Sequence, residues 1–399
     1  MKVMFSALNC ILDRSNGASI SVRTLLRNLS RHGVECRTLT GSLFDRPAPG
    51  TIEDNIRDSG SLPVQEPGFP QTLWLGMDGD IRHHVVATQH TRQSELTVAE
   101  EQAIYNRALR ELDVYQPDVL LLYGGRRYEH SLLRKARERG IATVFNLVNP
   151  GYKNERHFDH VDMVFTDSAA TAALYKERFG FDCRVIGKFI DKPQVPASAP
   201  SPDYVTFINP APEKGVTLFL RIVELAAMTL PQAKFLVVES RSSLAEAEKR
   251  TGLQVSGYRN LRKVGLQRDM GAVYGATKVL LLPSMWHESG ARVLVEACAM
   301  GIPIIGTRRG GTPELAGDAA IIIDAPEPLT DKHWLVPPLA EAVPWVEAIR
   351  QLLTDGEVYQ TYHEAALRRW QEHDPDLRLP GIIADLEALV ARKRQTVAA

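Results

Sequence analysis

The feature that most constrains the fold is an alternation of short β-branched runs with longer amphipathic ones, repeated along most of the chain. From Lys2 the sequence reads KVMFSAL, ISVRTLLRNLSRHG and VECRTLTG, a strand, a helix and a strand. After an irregular stretch from Asp45 to about Gly79, it resumes with a helix near 97–116, DVLLLYGG, a helix near 127–140, ATVFNLV, MVFTDS, a helix near 169–179 and CRVIGKFI. Strands that are apolar on both faces and separated by helices belong to parallel sheets covered on both sides. Residues 1–190 are therefore expected to form a doubly wound α/β domain.

Residues 191–203, DKPQVPASAPSPD, are rich in Pro, Ser and Ala and offer almost nothing to bury, which predicts a linker. A second open parallel sheet is expected over 204–375. Its strands are YVTFIN, KFLVVES, VLLLPS, IPIIGT and AAIII, with helices near 216–230, 242–251, 269–277, 291–300 and 313–317. Helices near 340–353 and 357–372 follow, then a break at Pro375 and Pro380 and a last helix near 381–394 that returns to the first domain. The 399 residues exceed what one core organises, so two Rossmann-like domains facing a central cleft are expected.

A formal net charge of -1 leaves no basic field for a nucleic acid to follow, so any phosphate must be bound locally. Cys10, Cys36, Cys183 and Cys298 are far apart in apolar runs, which suggests neither a disulfide framework nor a zinc cluster. The N-terminus reads as a first buried strand rather than a signal peptide, and no apolar run reaches the roughly 20 residues of a membrane span. A cytoplasmic protein is expected, with homo-oligomerisation left open.

Chemistry concentrates in 283–314, PSMWHESGARVLVEACAMGIPIIGTRRGGTPE. A strand ends, a loop carries His287, Glu288, Ser289 and Gly290, and a helix begins near Ala291. Ligands of open α/β sheets bind beyond the carboxyl ends of strands, where helix N-termini offer free N–H groups to anions. Glu288 and Glu296 lie too far apart to flank one glycosidic bond, a spacing that suits a longer ligand. A second constellation, FINPAPEKG over 207–215, puts the cation of Lys214 at a strand-to-helix turn. The first β-α connection, NCILDRSNGAS over 9–19, offers an Asn16-Gly17 turn and Ser19 as an N-cap. It lacks G-x-G-x-x-G, which counts against a nicotinamide or flavin enzyme. His83, His84 and His90 in a predicted hairpin, with His157 and His160, show no metal-ligand spacing and are taken as solvated or acceptor-side residues.

These segments resemble the family 4 glycosyltransferases, retaining enzymes of GT-B fold. That family's E-x7-E motif reads here Glu288 through Glu296, its A-x-G-x-P-V-I stretch Ala299, Gly301, Pro303, Ile304 and Ile305, and its G-G-x-P-E turn Gly310, Gly311, Pro313 and Glu314. The family's G-R-x-x-x-E-K-G segment resembles 207–215, with Lys214 matching the Lys. Its Arg has no counterpart, and Asn209 or Pro210 stands near that position. The resemblance implies that a sugar moves with retention from a nucleotide-sugar donor to an acceptor hydroxyl. No metal or further cofactor is implied, the nucleotide-sugar being a co-substrate. It implies that Glu288 meets the donor sugar, Glu296 the ribose and Lys214 the diphosphate. Ser289, Gly290 and Ala291 would present backbone N–H groups, although the family commonly has Gly-Phe-Gly there. Gly265 would meet the base, and Arg241 and Arg309 are candidates to replace the missing Arg. Gly17 would approach the diphosphate, with Asp13, Arg14 and Asn149 on the acceptor side; Asn149-Pro150 replaces the family's His-Asp. UDP- or GDP-sugars are the expected donors, and a small molecule, glycan, lipid-linked molecule or peptide the acceptor. Rival readings are a GT-B epimerase or phosphorylase, and a noncatalytic nucleotide-sugar-binding protein.

Overall fold

A computed structural model describes residues 1–45, 52–57, 59–90, 92–199, 201–267 and 269–398. Parts of the stretch from Asp45 to Gly79, of the 191–203 linker and of 265–274 lie outside the described residues. In chain order the elements are β1 (Lys2–Asn9), α1 (Gly17–Arg31), β2 (Glu35–Leu43), α2 (Ile52–Arg57), β3 (Leu62–Val64), β4 (Leu73–Asp78), β5 (Ile81–Val86), α3 (Val98–Tyr115), β6 (Val119–Leu122), α4 (Arg127–Glu138), β7 (Ala142–Leu147), β8 (Met163–Thr166), α5 (Ala169–Phe179) and β9 (Arg184–Val185). They continue with β10 (Tyr204–Ile208), α6 (Val216–Thr229), β11 (Lys234–Val238), α7 (Leu244–Thr251), β12 (Leu261–Val264), α8 (Gly271–Ala276), β13 (Thr277–Leu282), α9 (Arg292–Ala299), β14 (Ile304–Thr307), α10 (Thr312–Ala316), β15 (Ala320–Ile323), α11 (Glu327–Asp331), α12 (Val343–Thr354), α13 (Gly356–Glu372) and α14 (Pro375–Ala398).

The chain forms two compact units. One comprises Met1–Asp167, Ala172–Phe189 and Pro375–Ala399, the other Ser168–Thr171 and Ile190–Asp374. In the first, β1 explains the layering. Val3, Phe5 and Ala7 share one core with Val22, Leu25 and Leu29 of α1 and with Leu379, Ile382 and Leu386 of α14. Met4 and Leu8, on the alternate face, share another with Ile104 and Leu112 of α3 and Leu132 of α4. Successive side chains of a strand point to opposite faces, so an unbroken apolar run needs helices on both. α14 is held by more than apolar contact, since Arg378 donates to the carbonyl oxygens of Ile186 at 3.2 Å and Lys188 at 3.0 Å.

The first sheet corrects one expectation. Its order is β3-β4-β5-β2-β1-β6-β7-β8-β9, and β4 runs antiparallel to both β3 and β5, so the sheet is mixed. The part of the stretch after Asp45 that is described is thus largely regular, with β4 and β5 closed by a two-residue turn at Gly79-Asp80 in which Gly79 takes φ 61°. His83 and His84 are buried in β5, one beside Thr38 Oγ1 at 2.9 Å and the other beside Glu111 Oε1 at 3.1 Å. Neither is the solvated residue expected.

The second unit holds a six-stranded parallel sheet of order β12-β11-β10-β13-β14-β15. Val205, Phe207, Val237 and Leu281 pack with α6 and α12 on one face, and Leu280, Leu282 and Ile304 pack with α9 and α13 on the other. β12, an edge strand with two exposed side chains, was absent from the predicted set because LRKV has little to bury. The break at Pro380 is a second correction: Pro380 lies inside α14, near its start, where a missing N–H interrupts few helical bonds. Among the described residues no helix is long and apolar enough to cross a membrane.

Candidate active site

In the second sheet the sequence-predicted residues follow the carboxyl ends of five adjacent strands. Gly265 follows β12, Arg241 follows β11, Lys214 follows β10, Glu288 follows β13 and Arg309 follows β14. This is the edge where a parallel sheet leaves loop backbone and helix N-termini available to a ligand.

The loop from Pro283 to Ala291 is fastened from two sides. The Glu213 carbonyl accepts N–H bonds from Met285 and Trp286, both at 3.0 Å. For that contact the turn before α6 must press against the strand end: Gly215 takes φ +82°, and a Cβ there would sit 1.7 Å from the Pro283 carbonyl oxygen. On the other side Gly311 N donates to the Glu288 carbonyl at 2.7 Å. A Cβ on Gly310, φ +52°, would stand 2.3 Å from that oxygen. The glycines of the E-K-G and G-G turns are thus required by close backbone approach.

These clamps fix Glu288, whose Oε1 accepts from Lys214 Nζ at 2.5 Å and from Ser284 Oγ at 2.6 Å. Glu288 is buried, while the Lys214 side chain retains 25% of its exposure. The ammonium keeps further donors for a ligand. Glu296, also buried, lies in α9. Its Oε2 accepts from Tyr274 Oη at 2.5 Å and its Oε1 from Arg292 Nη2 at 2.6 Å. Burial, and then the Glu296 carboxylate, push the Tyr274 phenol well above its ordinary range, so it stays a donor. Tyr274, buried in the core of the second unit, and Arg292, in the first turn of α9, together orient Glu296. The i,i+4 spacing of Arg292 and Glu296 is a readable signal, and a buried tyrosine hydroxyl usually takes a partner.

No side chain caps α9 at Ala291. Ser289 Oγ, Asn209 Oδ1 and Thr312 Oγ1 are buried without a hydrogen-bond partner among the described residues. Buried polar atoms without partners are costly, so three of them in segments bordering the motif loop mark a place built for a polar ligand or water. Asn209, near the position of the missing Arg, holds φ 63°, a strained conformation outside glycine. Of the other candidate cations, Arg309 is anchored through Nε to the Met285 carbonyl at 3.2 Å, and Arg241 is exposed. Gly265 is exposed, with Gln267 Nε2 donating to its carbonyl at 2.9 Å. Gly290 is half-buried and Ala291 buried.

In the first unit, Asp13 is buried and staples its own loop, accepting from Ser15 N, Ser15 Oγ and Asp45 N, each at 2.7 Å. Burial, partly offset by these bonds, raises its pKa. Arg14 and Gly17 are exposed beside it. The N-cap of α1 is Asn16 rather than Ser19: Asn16 Oδ1 accepts from Ala18 N at 2.9 Å and Ser19 N at 3.0 Å, whereas Ser19 Oγ meets Tyr123 Oη at 3.1 Å. Asn149, after β7, closes a turn by accepting from Gly151 N at 2.8 Å. Asp78, the last residue of β4 before the Gly79-Asp80 turn, pairs with Arg23 at 3.1 Å. Among the described residues no group of three or more His, Cys, Asp or Glu is placed to hold a metal ion.

Residues 203–355 match the family model described as glycosyl transferases group 1. The D-inositol 3-phosphate glycosyltransferase of Corynebacterium diphtheriae is 30% identical over 101 residues, 25% of this chain and 20% of that protein. The chain therefore matches about a fifth of the length of this curated relative. Among solved structures, sucrose-phosphate synthase from Thermosynechococcus elongatus superposes with a TM-score of 0.66 at 15% identity, covering 97% of this chain and 99% of that one. HepE of Anabaena in complex with UDP-glucose superposes with a TM-score of 0.60 at 13% identity, covering 100% and 99%. At such identities the likeness is one of fold, and the fold is GT-B, two α/β domains whose sheets are parallel apart from the β3–β5 edge of the first.

Proposed function

We propose, for a chain that carries a group 1 glycosyltransferase domain over 203–355 in a GT-B architecture, that it is a retaining family 4 glycosyltransferase taking a UDP- or GDP-sugar as donor. The observation that carries this reading is the pairing of Lys214 with Glu288 above β13, with Glu296 held by Tyr274 and Arg292 on the following helix. Glu296, with its orientation set from both sides, accepts hydrogen bonds from the ribose hydroxyls. Lys214 turns its remaining donors to the diphosphate, and the N–H groups of Ser289, Gly290 and Ala291 add to it. As the glycosidic bond breaks, negative charge grows on the leaving diphosphate and positive charge on the sugar. A preorganised cation and carboxylate stabilise both, a contribution of several kcal/mol in comparable sites. The proposed mechanism needs no metal, because the cation that meets the leaving group belongs to the chain. The first domain, through Asp13 and Arg14 and the turn at Asn149, takes the acceptor, while Gly17 approaches the donor diphosphate.

The test has two stages. A thermal-shift screen of UDP-glucose, GDP-mannose, ADP-glucose and dTDP-glucose identifies the stabilising donor, since a native-state ligand stabilises by RT ln(1 + [L]/Kd). Slow hydrolysis of that donor in EDTA, followed by NMR at early times, then reads the anomer released. Retained configuration without added metal supports the proposal; an inverted anomer or an absolute metal requirement overturns the retaining, metal-independent mechanism.

A further inference from the structure

The loop after β6, the first turns of α4 and the segment after β7 border an open cavity of about 270 Å³ lined by Gly125, Arg126, Arg127, His130, Ser131, Arg156 and His157. Three guanidinium groups, two imidazoles and a hydroxyl surround it, and no carboxylate is among the lining residues. Gly125 takes φ +133°, and a Cβ on it would stand 2.8 Å from His157 Nδ1, so the loop is threaded closely against the histidine. Arg126 Nη1 is buried with no hydrogen-bond partner among the described residues. Of two nearby acids, one is turned to the backbone and the other faces a lining histidine. Glu129, fully buried, folds back to accept from Arg126 N at 3.0 Å, and burial raises its pKa. Asp159 stands 3.6 Å from His130 Nε2, with about half of its side chain exposed.

Like charges gathered around one cavity repel each other unless an anion joins them. Guanidinium forks suit tetrahedral oxyanions in particular, because paired N–H groups meet paired oxygens. We infer that this cavity binds a phosphate group, and that the group belongs to the acceptor. The first unit ties it to the expected acceptor loop: Tyr123, which opens the loop after β6, meets Ser19 Oγ at 3.1 Å, two residues from Gly17, and β1, β6 and β7 are neighbours in the sheet. The assignment to an acceptor rests on the transferase reading; the anion site does not.

The test therefore reads the site without turnover. Inorganic phosphate, glucose 6-phosphate, acetate and glucose are titrated at low ionic strength while NMR follows the imidazole Hε1 signals of His130 and His157, assigned with His130→Gln and His157→Gln. Saturable shifts are expected with the two phosphates and none with glucose or acetate. Affinity should fall about a hundredfold in Arg127→Gln/Arg156→Gln, both exposed positions, because each of the two lost charge-assisted bonds is worth roughly a factor of ten. It should be unchanged in Lys214→Ala, which disarms the other unit. Absent shifts, equal affinity in the double variant, an acetate response equal to phosphate, or a response lost only in Lys214→Ala would each overturn the inference. Phosphate binding here combined with failure of every donor to bind would leave the anion site standing and defeat the transferase reading alone.

Discussion

Tyr274 Oη donates a 2.5 Å hydrogen bond to Oε2 of Glu296, and both groups are buried in the core that α9 shares with the second sheet. A carboxylate meant to grip a ribose must be aimed before the ligand arrives, because ordering it afterwards would subtract from affinity. Tyr274→Phe should therefore weaken free-nucleotide binding about tenfold, the usual cost of losing a buried bond to a charged acceptor, with a small effect on kcat. Calorimetric titration of free nucleotide beside steady-state kinetics checks this; unchanged nucleotide affinity would remove Tyr274 from the site.

The two glutamates should fail differently. A ribose diol changes little as the glycosidic bond breaks, so Glu296→Ala should raise donor KM more than it lowers kcat. Glu288, fixed against Lys214, faces the developing charge, so Glu288→Gln should retain nucleotide affinity and lose about 10²-fold or more in kcat. The opposite pattern in the same titrations would reverse the assigned roles.

Acid should loosen the first unit through Glu111. Burial acts to raise its pKa, but His84, Arg107 and Arg37 outweigh it and hold the carboxyl down at about 2. A depressed folded pKa means stability that is complete above the unfolded value of about 4.5 and is lost as pH falls from there toward 2. Chemical unfolding between pH 6 and 3 should show this loss, and Glu111→Gln should be less stable at pH 6 yet flatter in that window. A variant with the same pH slope as the parent would assign the acid sensitivity elsewhere.

The C-terminal helix should behave as part of the first core. Leu386 is buried among residues of β1 and α1, so Leu386→Ala should destabilise that unit by about 2 to 5 kcal/mol, the range for emptied leucine sites. Denaturant titration checks it, and a loss under 1 kcal/mol would mean the helix contributes little there.

Gly215 and Gly310 illustrate how far a motif can be read. As letters in E-K-G and G-G-x-P-E they are only points of resemblance. Their necessity appears once a Cβ is seen to strike the carbonyl oxygens of Pro283 and Glu288, contacts between segments about seventy and twenty residues apart. The reverse holds for β4: Leu73–Asp78, LWLGMD, is short, interrupted by a glycine and shows no alternation of apolar and polar residues, so its place became visible only through pairing with β5.

What the sequence by itself determined is the part governed by local period and by chain order. Continuous apolar runs specify strands buried on both faces, amphipathic runs specify the helices that cover them, and the regular alternation of the two specifies parallel connection. Placing Lys214 and Glu288 after strands was enough to bring them to one edge of one sheet. The tertiary structure alone decided the partners: that Tyr274 and Arg292 aim Glu296, that Asp13 staples its loop, that Asn16 rather than Ser19 caps α1, and that Arg126, Arg127, Arg156 and two histidines surround one cavity. Hydrogen bonds and charge pairs act over about 3 Å between groups far apart in sequence, and such distances exist only after the sheets have assembled.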